Sequence, residues 1–136
     1  MRYSRTASRQ DQRQPLEPKL FGAAFLQLDQ VIERFHPMLE DDQFLQENLD
    51  VICDQLKSNA IQHEPVAVEE CEQIVEHLDR VTNHAQDMAK EEQRIIEESH
   101  LQADGEEEQE SAAYFELANQ LRLCSAQFRR NLLRAA

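Results

Sequence analysis

A continuous hydrophobic pattern in the middle of the chain constrains its fold more than any other feature. The seam positions alternate at intervals of four and three from Ala67 to Ile95, and Glu92 is the one charged residue among them. A second, mostly apolar row at seven-residue intervals begins one position later, from Val68 to Ile96. Four heptads of this kind predict a long helix with left-handed coiled-coil geometry.

The width of this face predicts a bundle of three or four helices. It covers about three positions per heptad, whereas the seam of a two-stranded coiled coil covers two. We expect the seam to be either the core of this chain or its contact with a partner. Its residues are Ile74, Val75, Leu78, Val81, Ala85, Met88, Ile95 and Ile96.

Three shorter amphipathic segments accompany the long one. The whole chain contains only two glycines, and this scarcity favours helix throughout. We expect helices at about residues 18–36, 38–57, 65–101 and 111–134. Pro18 and Pro65 suit a first helical turn, and Pro37 should end the first helix. Gly105 should end the long helix within an acidic turn at 102–110. These elements predict an all-α fold, an elongated, coiled-coil-like bundle of about four helices.

The predicted lengths indicate that a partner chain completes this bundle. At 1.5 Å per residue the long helix would span about 55 Å and the fourth about 37 Å, so several turns would overhang. A long exposed apolar row is a liability in a soluble monomer. In the alternative arrangement, the first two helices lie end to end along the long helix and close the bundle within one chain.

The net charge of −13 is unevenly distributed. Residues 1–19 hold five basic and two acidic residues, and residues 111–136 hold four basic and one acidic. Residues 20–110 hold the remaining 5 basic and 24 acidic residues, a net charge of −19. This acidic centre repels phosphates, so we do not expect nucleic-acid binding as the main function. It would also repel the acidic centre of a second copy of the chain, so we expect the partners to be other helical protein subunits and not a homo-oligomer.

The first 17 residues predict a disordered basic tail, because they are polar and show no hydrophobic periodicity. Ser4, Thr6 and Ser8 each follow an arginine by two to four residues, a pattern typical of basophilic kinase substrates. Phosphate there would reverse the local charge. The alternative is an unmodified, solvated tail.

Cysteine usage and hydropathy predict a reducing compartment. The chain contains no stretch of 18 apolar residues, so we expect no membrane-spanning helix. The first fifteen residues lack the apolar run of a secretory signal. The three cysteines are an odd number without CxxC spacing, which is typical of reduced thiols used as small hydrophobes. We therefore expect a cytoplasmic or nuclear protein that is not secreted.

Catalytic and metal-binding motifs give little support for an enzyme. There is no glycine-rich phosphate loop and no nucleophile motif, so we expect neither catalysis nor a cofactor. Two Glu-x-x-His pairs, Glu33–His36 and Glu97–His100, resemble the spacing of di-iron bundles, but both lie at predicted helix ends. We keep a metal-binding bundle as a remote alternative. His77 and His84 should face solvent beside the seam.

These observations predict a non-enzymatic structural subunit or adaptor of a multi-protein complex, acting through helix–helix packing. The alternative is a monomeric four-helix module that presents an acidic face to a basic partner. The two differ in how partner binding responds to salt, because salt screens charge contacts far more than apolar burial.

Overall fold

The computed structural model describes residues 15–98 and 105–135. Within these ranges the chain forms five helices, joined by short connections: α1 (Pro18–Arg34), α2 (His36–Leu39), α3 (Gln43–Ala60), α4 (Val68–Glu98) and α5 (Gly105–Ala135). The predicted all-α class is confirmed. None of the described helices combines the length and the apolarity that a membrane span requires.

The four longer helices form a closed ring in which each packs on its sequence neighbour and α5 returns to α1. Neighbouring helices are antiparallel. The ring of Phe21 near the start of α1 lies 5.9 Å from that of Phe128 near the end of α5. On α4 and α3, His84 contacts Asp42 whereas the earlier His77 contacts the later Asn48, so these two helices also run in opposite directions. The architecture is therefore an up-down-up-down four-helix bundle.

The core runs along the axis of this ring, and every long helix contributes large side chains to it. Fully burying one such side chain stabilises the fold by about 1.5–3 kcal/mol. The largest fully buried residues are Phe21, Leu28, Leu45, Leu49, Ile52, Leu56, Cys71, Ile74, Leu78, Val81, Leu117 and Leu121.

The second predicted helix, at 38–57, is divided in the structure. Pro37 lies in the first turn of the four-residue helix α2, where a missing N–H costs nothing. Asp42 then caps α3, because its carboxylate accepts the backbone N–H of Leu45 at 3.0 Å. The new cap lets the chain turn through a corner before α3 begins at Gln43.

The start of α4 also differs from the prediction at Pro65. Val66 instead exchanges two backbone hydrogen bonds of 2.8 Å with Leu16, and both side chains are buried. This bridge holds residue 66 in extended conformation, so α4 begins at Val68. Leu16 belonged to the predicted tail, and the structure makes it part of the core. Residues 1–14, with Ser4, Thr6 and Ser8, lie outside the described residues.

The fifth helix begins at Gly105, where the sequence predicted a helix end and a turn continuing to residue 110. The residues that follow, 106–108, are all glutamates. Carboxylates are favourable at the positive end of the helix dipole, so this acidic run suits a first helical turn. Residues 102–104 of the predicted turn are outside the described ranges.

Candidate functional site

Most of the predicted seam belongs to the chain's own core. Five of its residues are buried by the other helices of the bundle, and they need no partner to cover them. They are Ile74, Val75, Leu78, Val81 and Ala85. This part of the row is therefore covered within one chain, as the alternative expected, but α1 and α3 lie side by side and not end to end, so that arrangement was wrong.

The remaining three seam residues lie where the bundle becomes thinner. Met88 is partly buried against the core, Ile96 is half-buried, and the side chain of Ile95 is 45% exposed. The cause is helix length. Helices α4 and α5 have 31 residues each, whereas α1 has 17 and α3 has 18. At 1.5 Å per residue the longer pair exceeds the shorter pair by about 20 Å.

We call this two-helix projection the hairpin extension and define it as residues 88–98 of α4 and 105–115 of α5. The rest of the bundle is the four-helix body. At the base of the hairpin extension, the hydroxyl of Ser111 donates to the carbonyl of Ala89 at 3.2 Å, and both residues are buried. The two helices therefore pack on each other as they leave the body.

A buried carboxylate marks the junction between body and hairpin extension. The Oδ2 atom of Asp42 accepts the hydroxyl of Tyr114 at 2.9 Å and lies 3.3 Å from Nε2 of His84. Its other oxygen caps α3, and the side chain is 8% exposed. One carboxylate thus joins α3, α4 and α5 at the level where α3 begins.

Electrostatics keep the Asp42 carboxylate ionised and the Tyr114 hydroxyl protonated near neutral pH. Burial alone would raise the pKa of Asp42. The hydrogen bonds from the Leu45 N–H, Tyr114 and His84, together with the charge of His84, outweigh burial and hold that pKa below its ordinary value. Burial and the neighbouring Asp42 raise the pKa of Tyr114. Asp42 therefore remains an acceptor and Tyr114 a donor, which makes the cluster an anchor between helices.

Beyond the junction, the described residues leave one face of α4 partly exposed on the side where α3 would continue. The Phe44 ring, in the first turn of α3, lies 4.2 Å from the ring of His84. Met88 follows His84 by one turn, and Ile95 follows it by three turns on nearly the same face. We call this face, with Phe44 at its base, the open lane. Phe44 and Ile95 are each 45% exposed.

Carboxylates flank the open lane. Glu91 and Glu98 follow His84 at seven-residue intervals, and both bind the guanidinium of Arg94 on their own helix. The hairpin extension as a whole holds eight acidic and two basic residues, a net charge of −6. The lane therefore combines an apolar row with an acidic border.

A separate groove of about 320 Å³ lies between the two helices of the hairpin extension. Phe115 lines it and is 39% exposed. Because adjacent helical residues point about 100° apart, Phe115 faces a different direction from Tyr114, which points to α3. The groove and the open lane are distinct surfaces. The lining residues of the groove are Gln93, Ile96, Glu108, Ser111, Ala112 and Phe115.

The predicted metal alternative finds no support among residues 15–98 and 105–135, where no three His, Cys, Asp or Glu side chains could hold one ion. His36 pairs with Glu40 at 3.3 Å at the exposed corner before α3. Its predicted companion His100 lies outside the described residues. His77 is half-buried against α3, 2.8 Å from the Oδ1 atom of Asn48, so the expectation that it faces solvent is wrong.

The three thiols are protonated and shielded. Burial raises the pKa of Cys71 to about 12 and of Cys124 to about 11. Cys53 is half-buried, and burial together with nearby carboxylates raises its pKa to about 12. Thiols in this state are poor nucleophiles and poor metal ligands. They act here as small apolar side chains.

Sequence patterns did not single out the polar junction or the base of the open lane. Comparisons with protein-family models, with curated proteins and with solved structures find no match to this chain.

Proposed function

We propose that this chain is a non-enzymatic subunit or adaptor of a multi-protein complex. The four-helix body folds on its own chain, and the open lane of the hairpin extension packs against a helix of another protein. The thiols remain reduced, as in the cytoplasm or nucleus. Membrane insertion and nucleic-acid binding are not part of this function.

The supporting observation is a heptad row on α4 that extends beyond the helices that bury its first part. Ile74 and Val81 are fully buried, Met88 is partly buried, and Ile95 is 45% exposed, although all four follow at seven-residue intervals. A residue spaced for helix pairing but without a facing helix is typical of a coiled-coil contact. The open lane is thus where another helix would continue the bundle.

A different protein suits this lane better than a second copy of the chain. Two copies would bring together two hairpin extensions that each carry a net charge of −6. Like charges at close range oppose association, and a symmetric contact offers no opposite charge to compensate.

Site-specific photo-crosslinking in cells tests the proposal. A photoreactive phenylalanine analogue is placed at Phe44 or at Ile95, along the open lane. Matched controls carry it at Phe115, on the other face of the hairpin extension, and at Leu26, which is 61% exposed on the body. We expect one and the same protein to be captured from both lane positions and from neither control position.

Two outcomes would contradict the proposal. Capture of the same proteins with equal yield from all four positions would indicate non-specific contact. Capture from Phe115 or Leu26 alone would place the functional surface elsewhere. Circular dichroism of each variant verifies that the bundle is intact before the yields are compared.

A free-standing binding module with an acidic face is the second candidate. The self-closed core favours it, because the apolar row of the body is buried within one chain. It predicts partner binding that is lost at about 1 M salt, whereas apolar packing in the open lane should leave measurable binding at that salt after the charge contacts are screened. Measuring the affinity of the captured protein across a salt series separates the two functions.

A further inference from the structure

We infer that the helix received by the open lane is basic and amphipathic, with Lys or Arg on both sides of an apolar row. This inference rests on the proposed function and specifies the chemistry of the partner. It is drawn from the length of the lane, from its charged border and from the position of the first described residues.

The length of the open lane sets the apolar part of the partner. Ile95 lies eleven residues beyond His84 on α4, which corresponds to about 16 Å or three helical turns. A facing helix would cover this distance with apolar residues at i, i+3 or i+4, and i+7. Phe44 and Ile95 would be the two ends of that contact, with Met88 between them.

The border of the lane sets the charge of the partner. Glu91 and Glu98 occupy the heptad positions beside the Met88–Ile95 row, and residues at such positions select partners in coiled coils. The exposed Arg94 bridges the carboxylates of Glu91 and Glu98, but such ion pairs on the surface are weak and readily rearranged. An acidic partner would meet the net charge of −6, whereas a basic one would complement it.

The first described residues lie at the opposite end of the body from the open lane. The described chain begins beside Leu16, which is bridged to Val66 at the opposite end of the body. From Val68 to Ile95 the distance along α4 is about 40 Å. The open lane is therefore remote from the first described residues, and the charge of its border favours a helix of another protein.

Synthetic helical peptides of about 18 residues test the inference on the full chain. The basic peptide carries Leu at i, i+3, i+4 and i+7 positions and Lys beside them, and the acidic peptide has Glu in place of Lys. Binding is measured by fluorescence anisotropy at about 0.15 M salt. We expect the basic peptide to bind at least about tenfold more tightly than the acidic one.

Paired variants locate the binding site. Glu91→Lys with Glu98→Lys should weaken the basic peptide by about tenfold, whereas Asp50→Lys with Asp54→Lys, the same charge change on exposed positions of α3, should change it by less than about threefold. Ile95→Ser should weaken binding by about tenfold. All variants change exposed residues, so unchanged melting temperatures are expected and are measured first.

Several results would overturn the inference. Equal weakening by the two double charge variants would mean that the peptide follows net charge alone. Equal affinity for acidic and basic peptides would remove charge selection. Tenfold tighter binding after deletion of residues 1–14 would mean that the tail occupies the lane.

The partner captured by photo-crosslinking distinguishes this inference from the function on which it rests. A segment crosslinked to Phe44 and Ile95 that is neutral or acidic would refute the basic helix and leave the adaptor function standing. A basic helical segment would support both. Failure to capture any protein from the lane positions would refute the function itself.

Discussion

Replacing Asp42 by alanine removes an acceptor shared by three helices. The change deletes the α3 cap, which contributes about 1 kcal/mol. It also leaves the buried Tyr114 hydroxyl without its acceptor, and a hydrogen bond to a charged group contributes about 1.5–3 kcal/mol. The contact with His84 is partly exposed and adds less than about 1 kcal/mol. We therefore expect Asp42→Ala to lower the free energy of unfolding by about 3 kcal/mol.

A double-mutant cycle isolates the contact between α3 and α5. Tyr114→Phe removes the hydroxyl and should cost about 1–2 kcal/mol, and the coupling energy with Asp42→Ala should also be about 1–2 kcal/mol. Urea unfolding at neutral pH, followed by circular dichroism, measures all three variants. The control is Asp41→Ala, an exposed neighbour, which should remain within about 0.5 kcal/mol of the original chain.

The reasoning fails if Asp42→Ala costs less than about 0.5 kcal/mol, because no cap and no buried hydrogen bond would then have been lost. It also fails if the two single changes add without coupling. Additivity would mean that Tyr114 and Asp42 do not interact in solution.

Four further predictions concern titration, thiol reactivity, the core and assembly. Because the folded-state pKa of Asp42 is below its ordinary value, its contribution is present above about pH 4 and is lost as the pH falls through the folded pKa; the stability gap to Asp42→Asn in acid titrations should therefore close below about pH 4. Cys71 and Cys124 should react with a thiol reagent at pH 8 only after urea unfolding, since burial raises both pKa values. Leu78→Asp should abolish cooperative melting, because it places a charge in the fully buried core. Light scattering of the purified chain should give a monomer, with a melting temperature independent of protein concentration.

The helical periodicity predicted which residues of α4 turn inward. Ile74, Leu78, Val81 and Ala85 are all buried, because a 3.6-residue repeat places them on one face whatever covers it. The period carries no information about the covering helix. That depends on which helices lie side by side, and here the bridge between Leu16 and Val66 and the corner at α2 bring α1 and α3 alongside the long pair.

The boundaries were less predictable because proline and glycine have more than one favourable position. Pro65 can begin a helix, yet the extended bridge at Val66 moves the start of α4 to Val68. Gly105 can end a helix, but the three glutamates after it favour a helix beginning there. At Pro65 the tertiary contact between Val66 and Leu16 decides between the competing local signals.

The candidate site was harder to predict from the sequence than the core. Asp42 and Tyr114 are 72 positions apart, and no spacing rule connects them. The open lane arises from a difference in helix lengths, which needs accurate boundaries for α3 and α4. The exposed end of the seam was nevertheless included in the predicted interface as Ile95, because the heptad row continues past the point where the cover ends.

The four-helix body and the hairpin extension differ in how they treat the apolar row of α4, and this difference explains the open lane. The body buries its apolar row within one chain, so under the proposed function folding and partner binding are separate events. The hairpin extension has two helices only, which bury Ala89 and Ser111 against each other but leave Ile95 exposed. Its net charge of −6 keeps such a surface hydrated and disfavours pairing with a copy of itself. The open lane is thus an exposed apolar row on a body with its own buried core, and its charge disfavours association with a second copy of the chain. Such a surface is suited to a partner of opposite charge.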